Sequence, residues 1–407
     1  MEPDVAYEPV SVKDVLSEMK DTAELLIDLS YSAVLSGSDE VAQEVLALEE
    51  RMDVLQLQAR MSVLMAARSP EDAEQLAPVL GVVGAAEKIA NAAGDIAKVV
   101  IEEIGLPDAM RAAIPEATEA LVRAEVTADS QYAGRTLGAI NMETESGVRT
   151  IAVRRSSQTG KRAWITNPDR DTGIEAGDVL LLRGMDEGLA TVYEAATGTA
   201  YEPPEPVDSP IEDLDRAVDS IVTMKDMSEL AVDLAYGAVL FDSEAVAEEV
   251  VELEAEVDAL KSRLEAWTLR AAAHVEDPVE LRGLVHLAAA TEVISDAALE
   301  LSEGVLRGLD AHPVVAAAVE ESDEVIVRLI VGDGADIAGD TLGELELGTE
   351  TGTRVIAVRR PGEETAWVVS PDADTALRAG DVLVAKGTRA GAERLSTLAG
   401  DPQAFDT

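Results

Sequence analysis

The chain of 407 residues contains nearly the same 22-residue segment twice, 205 positions apart. The first copy, GRTLGAINMETESGVRTIAVRR, begins at Gly134, and the second, GDTLGELELGTETGTRVIAVRR, begins at Gly339. The correspondence continues upstream, where KDTAELLIDLSYSAVL from Lys20 matches KDMSELAVDLAYGAVL from Lys225. A chain of this length exceeds the usual size of one hydrophobic core. The repeat therefore predicts a duplicated unit of about 200 residues rather than one large domain.

The first part of each unit is predicted to be a bundle of three amphipathic helices. Apolar residues such as Val12, Leu16, Met19 and Ala23 recur at helical spacing. Each predicted helix start carries a capping residue, and Ser11 with Asp14 and Ser209 with Glu212 form predicted capping boxes. These predicted caps are Ser11, Ser38, Ser69, Ser209, Ser243 and Asp277. Short connections between such helices favour an antiparallel bundle.

The second part of each unit changes to the period of a β-strand. Leu121–Val126 and Val325–Val331 are predicted strands, as are the two IAVRR segments and the apolar runs that follow Ala-Gly-Asp. The predicted fold class is α+β multidomain and internally duplicated. The predicted domains are helical at 10–113 and 209–313 and α+β at 114–197 and 314–400, with a Pro-rich acidic linker at 198–208.

The charge balance restricts the kind of protein and partner. There are 80 acidic and 32 basic residues, for a net charge of −48. Self-repulsion of this size disfavours a compact state in dilute buffer and is screened in molar salt, which favours a salt-adapted protein. Nucleic acid is an unsuitable partner because phosphate contacts need basic surface. No cysteine, signal-like N-terminus or run of 18 apolar residues is present, so we expect a soluble, cytoplasmic protein.

The α+β part closely resembles the TrkA-C family, the C-terminal ligand-sensing domain of proteins that regulate potassium conductance. The resemblance rests on Gly-x-Thr-Leu-Gly at 134–138 and 339–343, on the IAVRR strand, and on Gly-Asp-x-Leu at 177–180 and 380–383. It covers about 80 residues in each copy. It implies domains that pair into dimers and hold a small ligand at the dimer interface, which in some members is cyclic di-AMP.

The helical part resembles half of a PhoU protein, whose three-helix repeat carries Glu-x-x-x-Asp on metal-facing helices. This motif is present at Glu24–Asp28, Glu229–Asp233 and Glu292–Asp296, whereas the fourth copy, Glu87–Asn91, ends in an amide. The resemblance implies a metal site on the first and third helices of each bundle.

The spacing of the acidic residues also indicates carboxylate stripes. Residues at i, i+3 and i+7 share a helix face, and like charges there destabilise the helix by roughly 0.2–0.5 kcal/mol per pair. Oxygen ligands on facing helices suit a divalent cation. The alternative is a solvated acidic face, since one residue in five is acidic. The candidate metal ligands are Asp21, Glu24, Asp28, Glu87, Asp226, Glu229, Asp233, Glu292 and Asp296.

A candidate anion site lies in the first α+β part, where five basic residues fall between positions 149 and 162. A phosphate-bearing ligand such as a cyclic dinucleotide needs fixed positive donors. The candidate residues are Arg135, Thr136, Arg149, Arg154 and Arg155. The second copy has Asp340 in place of Arg135, so the two copies are expected to differ. The alternative is that these arginines form ion pairs with nearby acids.

These observations favour a non-enzymatic regulator of cation transport, with potassium the expected ion and a membrane channel or transporter the expected partner. It would act as a homodimer, in the cytoplasm or at the inner face of the membrane. The alternatives are a metal-binding adaptor in phosphate or divalent-ion signalling, and a scaffold that binds neither ligand. Gly332–Ile337, GDGADI, has Ile where a dinucleotide-binding loop needs its third glycine, so dinucleotide binding at that point is rejected.

Overall fold

The computed structural model describes residues 11–107, 110, 120–142, 146–156, 162–166, 168, 170–184, 186–201, 211–241, 243–307, 313–321, 325–345, 347, 351–360, 367–369, 371, 373–387 and 389–401. Three helices form the first bundle: α1 (Val12–Ser36), α2 (Asp39–Ala66) and α3 (Pro70–Ile101). The Ser11 hydroxyl accepts the Asp14 N–H at 3.1 Å, and Gly37 ends α1 with a left-handed φ of 62°. These local signals fix where the helices begin and turn.

The first sheet module follows the first bundle. Its elements are β1 (Ala120–Glu125), β2 (Arg135–Thr136), α4 (Leu137–Ile140), β3 (Arg149–Ser156), β4 (Arg162–Thr166), β5 (Gly173–Ile174), β6 (Val179–Gly184) and α5 (Asp186–Thr197). Four strands form an antiparallel sheet in the order β1-β6-β3-β4. β2 and β5 pair separately.

The second copy repeats this arrangement. The second bundle consists of α6 (Glu212–Phe241), α7 (Glu244–Ala271) and α8 (Arg282–Leu306), with a short 3₁₀ helix (Pro278–Leu281) before α8. Ser243 and Asp277 cap α7 and the 3₁₀ helix, as predicted, whereas the predicted cap at Ser209 lies outside the described residues. The second sheet module contains α9 (Pro313–Glu321), β7 (Val325–Ile330), α10 (Leu342–Leu345), β8 (Thr353–Arg359), β9 (Trp367–Val369), β10 (Val382–Gly387) and α11 (Arg389–Leu398). Its sheet order is β7-β10-β8-β9.

The two bundles pack against each other and share one hydrophobic core. α3 packs along α8, and the Tyr31 hydroxyl of α1 forms a buried 2.5 Å hydrogen bond with the Thr291 hydroxyl of α8. α9 packs against both α1 and α6, with Val315 and Ala318 in the shared core. This helix starts at the predicted domain boundary of 313/314, and that boundary stays a prediction.

Each sheet lies between the helical bundles and its own C-terminal helix. Strand residues alternate between faces, so in β6 Val179 and Leu181 join the shared core while Leu180 and Leu182 pack towards α5. The second module follows the same pattern around α11. The structure thus confirms the predicted duplicated α+β fold class. It also shows that one face of each sheet packs against the helical bundles.

Within the described part of the chain, one helical segment is apolar enough to cross a membrane by length and composition. It spans Leu76–Ile101 of α3, and half of its apolar window is buried inside the protein. α3 packs against α1, α2 and α8, so its apolar composition is accounted for by its position among three helices.

Candidate functional site

The carboxylate stripes of α1 and α6 lie where the two bundles meet the two sheets. Their charged residues form two related groups, each of which combines residues from both copies. We define the Lys386 cluster as Lys20, Glu24, Asp233 and Lys386, and the Arg183 cluster as Asp28, Arg183, Lys225 and Glu229. The Lys386 cluster takes its two carboxylates from different bundles, and so does the Arg183 cluster.

In the Lys386 cluster, an ammonium group from the sheet bridges the two bundles. Lys386 Nζ on β10 lies 3.4 Å from Glu24 Oε1 of α1 and 3.2 Å from Asp233 Oδ1 of α6. Lys20 Nζ lies 2.8 Å from Glu24 Oε1 and 5.5 Å from the ring centroid of Tyr236. Lys20 is only 1% exposed, so it is one of the most deeply buried charged residues in the described part of the chain. Two carboxylates and two ammonium groups therefore balance in charge.

The Arg183 cluster has the corresponding arrangement on the first sheet. Arg183 Nη1 on β6 lies 3.0 Å from Asp28 Oδ2 of α1. Lys225 Nζ lies 2.8 Å from Glu229 Oε1, 3.2 Å from Asp226 Oδ1 and 6.0 Å from the ring centroid of Tyr31. Lys20 and Lys225, like Arg183 and Lys386, occupy equivalent positions in the two copies. The duplicated sequence has thus retained a duplicated ion-pair arrangement.

Burial perturbs the titration of these groups. It raises the pKa of Asp233 to about 6, with Lys386 opposing the shift and Glu24 adding to it. Burial also raises the pKa of Glu229, opposed by Lys225 and reinforced by Asp28. Burial alone would lower the pKa of Lys225, but the nearby carboxylates of Glu229 and Asp226 outweigh it and raise that pKa. The positive charge of Lys225 is therefore held firmly in place.

The α1 and α6 carboxylates already face basic side chains of the same chain. A metal site needs several oxygen atoms directed at one point with no cation already there. Glu24 and Asp233 instead face Lys386, and Asp28 faces Arg183. Of the remaining stripe residues, Asp226 pairs with Lys225. Asp21 lies close to Tyr236, and the pKa of Tyr236 is raised by burial, by Glu24 and, to a smaller extent, by Asp21. Metal binding at these positions stays a prediction.

The sequence interpretation did not identify the four basic residues of the two clusters. Two of them had a recognisable signal, because VLLLRG and VLVAKG each place one basic residue in an otherwise apolar strand. Strand alternation places Arg183 on the same face as Val179 and Leu181, which points it at the helices. Lys20 and Lys225 lie four residues before Glu24 and Glu229, at the spacing of a helical ion pair.

Of the third-helix candidates, Asp296 lies at the groove between α3 and α8, while Glu87 and Glu292 pair with basic residues of α2 and α7. Glu87 pairs with Arg60 at 3.2 Å, and Glu292 pairs with Lys261. Asp296 faces several carboxylates: burial raises its pKa, and Glu292 is the next largest contribution. The groove has a volume of about 670 Å³, and Asn91 and Asp296 line it together with Lys88, Asp95, Lys98, His286 and Glu300. Among the described residues, no three Asp, Glu or His side chains are placed to hold a metal ion.

The candidate anion-binding residues of the first sheet module do not converge. Arg154 Nε points to the helices and lies 2.7 Å from Glu44 Oε2, in agreement with the ion-pair alternative. Arg155 points to the opposite face, where its Nε and Nη2 lie 2.8 and 2.6 Å from the two oxygens of Asp178. This hydrogen bonding raises the pKa of Arg155.

The other candidates lie on exposed parts of the module. Arg135 is exposed and donates to the Ala139 carbonyl, while Thr136 Oγ1 accepts the Ala139 N–H at 3.3 Å and so caps α4. Arg149 is exposed at the start of β3. Arg155 Nη2 also donates to the Gly173 carbonyl at 2.6 Å, and Gly173 pairs with Thr136. Arg155 is therefore linked to the Arg135–Thr136 segment through β5 rather than through a shared ligand pocket. Anion binding by the two exposed arginines, Arg135 and Arg149, stays a prediction.

Comparison with known proteins divides the chain into four matched regions. The family model described as "PhoU domain" matches residues 16–100 and 221–305, and the one described as "TrkA-C domain" matches residues 121–197 and 326–400. No curated protein matches the sequence. Among solved structures, PhoU from Pseudomonas aeruginosa matches with 12% identity and a TM-score of 0.43, covering 73% of this chain and 96% of that one. The GsuK RCK domain matches with 16% identity and a TM-score of 0.19, covering 70% of this chain and 65% of that one.

Proposed function

We propose that this chain, which consists of two PhoU domains and two TrkA-C domains in alternation, is a non-enzymatic regulatory subunit of a cation channel or transporter. Both domain families are regulatory, and TrkA-C domains are the ligand-sensing parts of potassium-conductance regulators. Potassium is accordingly the ion that we expect to be transported. The chain would act in the cytoplasm, at the inner face of the membrane.

One observation carries this proposal: each TrkA-C sheet is joined to the PhoU helices by buried and half-buried ion pairs. Arg154 of the first sheet contacts Glu44 of α2, and Arg359 of the second contacts Glu249 of α7. Lys386 extends the contact to both bundles at once. A ligand that favours a different position of the sheet must therefore change charge contacts on the helices. A conformational response needs such differential interactions between two states.

The ligand is expected to be a small anion at the first TrkA-C domain. Arg135 and Arg149 are exposed there, whereas the second domain has Asp340 at the position of Arg135. Arg154 and Arg155 would act indirectly, by fixing the sheet on which the exposed residues are carried. Cyclic di-AMP is the first ligand to test, by isothermal titration calorimetry in molar KCl against the Arg135→Asp variant, which gives the first domain the residue of the second. Binding by the wild-type chain that Arg135→Asp weakens at least tenfold would support this assignment, and equal binding would refute it.

The partner is tested by affinity purification of the tagged chain from detergent-solubilised membranes of its source organism in molar KCl. A channel or transporter for cations that is recovered in stoichiometric amount, and that then changes its potassium flux when reconstituted with the chain, would support the proposal. Stoichiometric recovery of phosphate-uptake components alone, or of no membrane protein, would contradict it. Because TrkA-C domains are expected to pair, the recovered complex should contain a homodimer of the chain.

A PhoU-type metal-binding adaptor is the second candidate, and an asymmetry between the bundles favours it. In the second bundle, burial together with Asp258 and Asp296 raises the pKa of Glu254, and Glu292 and Glu300 lie nearby. The first bundle replaces the central Asp296 by Asn91. A divalent cation would relieve the repulsion in the second bundle by drawing its carboxylates together. Metal content of the purified chain, compared with that of Asp296→Asn, tests this: one metal ion per chain that the variant loses would support the adaptor.

A further inference from the structure

The Glu-x-x-x-Asp motifs of α1 and α6 resemble sets of metal ligands, but their carboxylates face basic side chains of the same chain. The four central carboxylates belong to Glu24, Asp28, Glu229 and Asp233. Each lies within ion-pair distance of a Lys or Arg side chain. Two of these partners come from the helices themselves. The other two, Lys386 and Arg183, come from strands of the TrkA-C domains, more than 150 residues away in sequence.

The position of Lys386 is the most informative of these contacts. Its ammonium group lies between Glu24 Oε1 at 3.4 Å and Asp233 Oδ1 at 3.2 Å, so one cation is shared by carboxylates of the two bundles. Lys386 is 14% exposed and Asp233 is 12% exposed. Removing two carboxylates from water is unfavourable unless a cation compensates them. A shared cation between helices is also what a bridging metal ion would supply, and here the chain supplies it from a strand.

We propose that Lys386 is a tethered cation that takes the place of a free ion between the α1 and α6 carboxylates, and that Lys386 and Arg183 thereby latch each TrkA-C domain onto the bundles. When the second TrkA-C domain moves away, Glu24 keeps Lys20 as a partner, and a proton or a free cation compensates Asp233. With the sheet in its present position, Lys386 occupies the space between the α1 and α6 carboxylates. With the sheet displaced, a free cation can occupy that space. This inference goes beyond the regulatory function proposed above, because it specifies how each sheet is attached to the helices. It does not depend on which membrane protein is the partner.

The alternation of the strands supports the latch as a built feature of the fold. Arg183 and Lys386 occupy the same position, one residue before the glycine that closes β6 and β10. Both glycines allow a close approach: a Cβ at Gly387 would lie 2.5 Å from the Gly352 carbonyl oxygen, and one at Gly184 would lie 3.2 Å from the Gly147 carbonyl oxygen. The strand ends are therefore fixed by neighbouring backbone, and the basic residue beside each is directed at the helices.

The test removes the tethered cation and measures whether a free one enters. Lys386→Gln is titrated with Mn²⁺ in molar KCl, and bound Mn²⁺ is counted by electron paramagnetic resonance. We expect one additional Mn²⁺ per chain, bound at least tenfold more tightly than at any site of the wild-type chain. The matched control is Arg216→Gln, which removes the same charge from an exposed pair with Glu212 and should gain no such site. Lys386→Arg keeps the cation and should behave as wild type.

Two further variants keep the proposal refutable. Adding Glu24→Gln to Lys386→Gln should abolish the new Mn²⁺ site, because one of its two carboxylates is gone. If Lys386→Gln does not fold alone, refolding in millimolar Mn²⁺ should recover its native circular dichroism. The proposal is overturned if folded Lys386→Gln binds no more Mn²⁺ than Arg216→Gln, or if unfolded Lys386→Gln is not rescued by Mn²⁺. Neither result affects the capture of a membrane partner, so the two proposals fail separately.

Discussion

The pair of Arg155 and Asp178 gives a prediction whose control is built into the same chain. Arg155 makes a two-pronged contact, with 2.8 and 2.6 Å distances to the carboxylate of Asp178, which is only 1% exposed. In the second TrkA-C domain the corresponding contact is looser: Arg360 Nε lies 3.9 Å from Asp381 Oδ2. Arg360 instead donates to the Ala376 carbonyl at 3.0 Å.

Replacing each arginine by methionine should therefore destabilise the two domains unequally. Loss of one partner of a buried ion pair typically costs about 3–5 kcal/mol, because the remaining charge is left without compensation. Asp178 keeps the Glu175 N–H as a donor at 2.8 Å, so we expect about 3 kcal/mol for Arg155→Met. Asp381 keeps the Arg378 N–H at 2.9 Å and loses no direct hydrogen bond, so about 1 kcal/mol is expected for Arg360→Met.

Hydrogen exchange measures both domains in one experiment. Amide protection of β6 reports on the first domain, and that of β10 reports on the second. A loss of about 3 kcal/mol corresponds to a roughly hundredfold fall in protection, since each 1.36 kcal/mol is a factor of ten. Molar KCl should leave the effect largely intact, because buried pairs are screened much less than exposed ones. Addition of Asp178→Asn to Arg155→Met should restore part of the protection.

Equal losses in the two domains would refute the reasoning, since the geometry of the two pairs would then have no energetic consequence. An unchanged β6 in Arg155→Met would refute it more strongly. If that variant also lost ligand binding, Arg155 would belong to the anion site rather than to the support of the sheet.

Three other perturbations have definite expected outcomes. Tyr31→Phe removes a buried hydrogen bond to Thr291 between the bundles and should lower the free energy of unfolding by about 1 kcal/mol, measured by denaturant titration. Because the pKa of Asp233 is raised to about 6 in the folded state, folding gains stability as pH falls from about 6 to 4; Asp233→Asn should lose this part of the pH dependence, up to about 3 kcal/mol. Gly387→Ala should destabilise the second TrkA-C domain by about 1–3 kcal/mol, seen as reduced β10 protection, because its Cβ would meet the Gly352 carbonyl.

The fold was largely predictable because its signals are local and occur twice. The Ser11 cap and the period-2 strands appear where the sequence places them, and the family matches bear out the four-part architecture. The candidate anion site was less predictable. Arg154 and Arg155 were grouped because they are adjacent in sequence, yet adjacent strand residues point to opposite faces. The pattern alone would have separated them, one towards Glu44 and one towards Asp178.

The carboxylate stripes illustrate a different limit. Helical spacing correctly groups Glu24 with Asp28, but it says nothing about which element covers that face. Lys386 reaches Glu24 across 362 positions of sequence, and this contact depends on packing the second sheet over the junction of both bundles. An acidic stripe is equally consistent with a metal ion, with solvent and with a basic side chain of the same chain. Only the packing of the two copies distinguishes them.

Because both copies lie in one chain, equivalent positions can carry different residues, which two identical chains could not do. At the position of Arg183 the second copy has Lys386, and at the position of Arg135 it has Asp340. Lys386 Nζ is shared by Glu24 and Asp233, whereas Arg183 Nη1 lies 3.0 Å from Asp28. The exposed residues predicted to bind an anion thus belong to one domain, and the cation that joins both bundles belongs to the other. α1 links the two sheets directly, because it contacts Arg183 at Asp28 and Lys386 at Glu24, one helical turn apart.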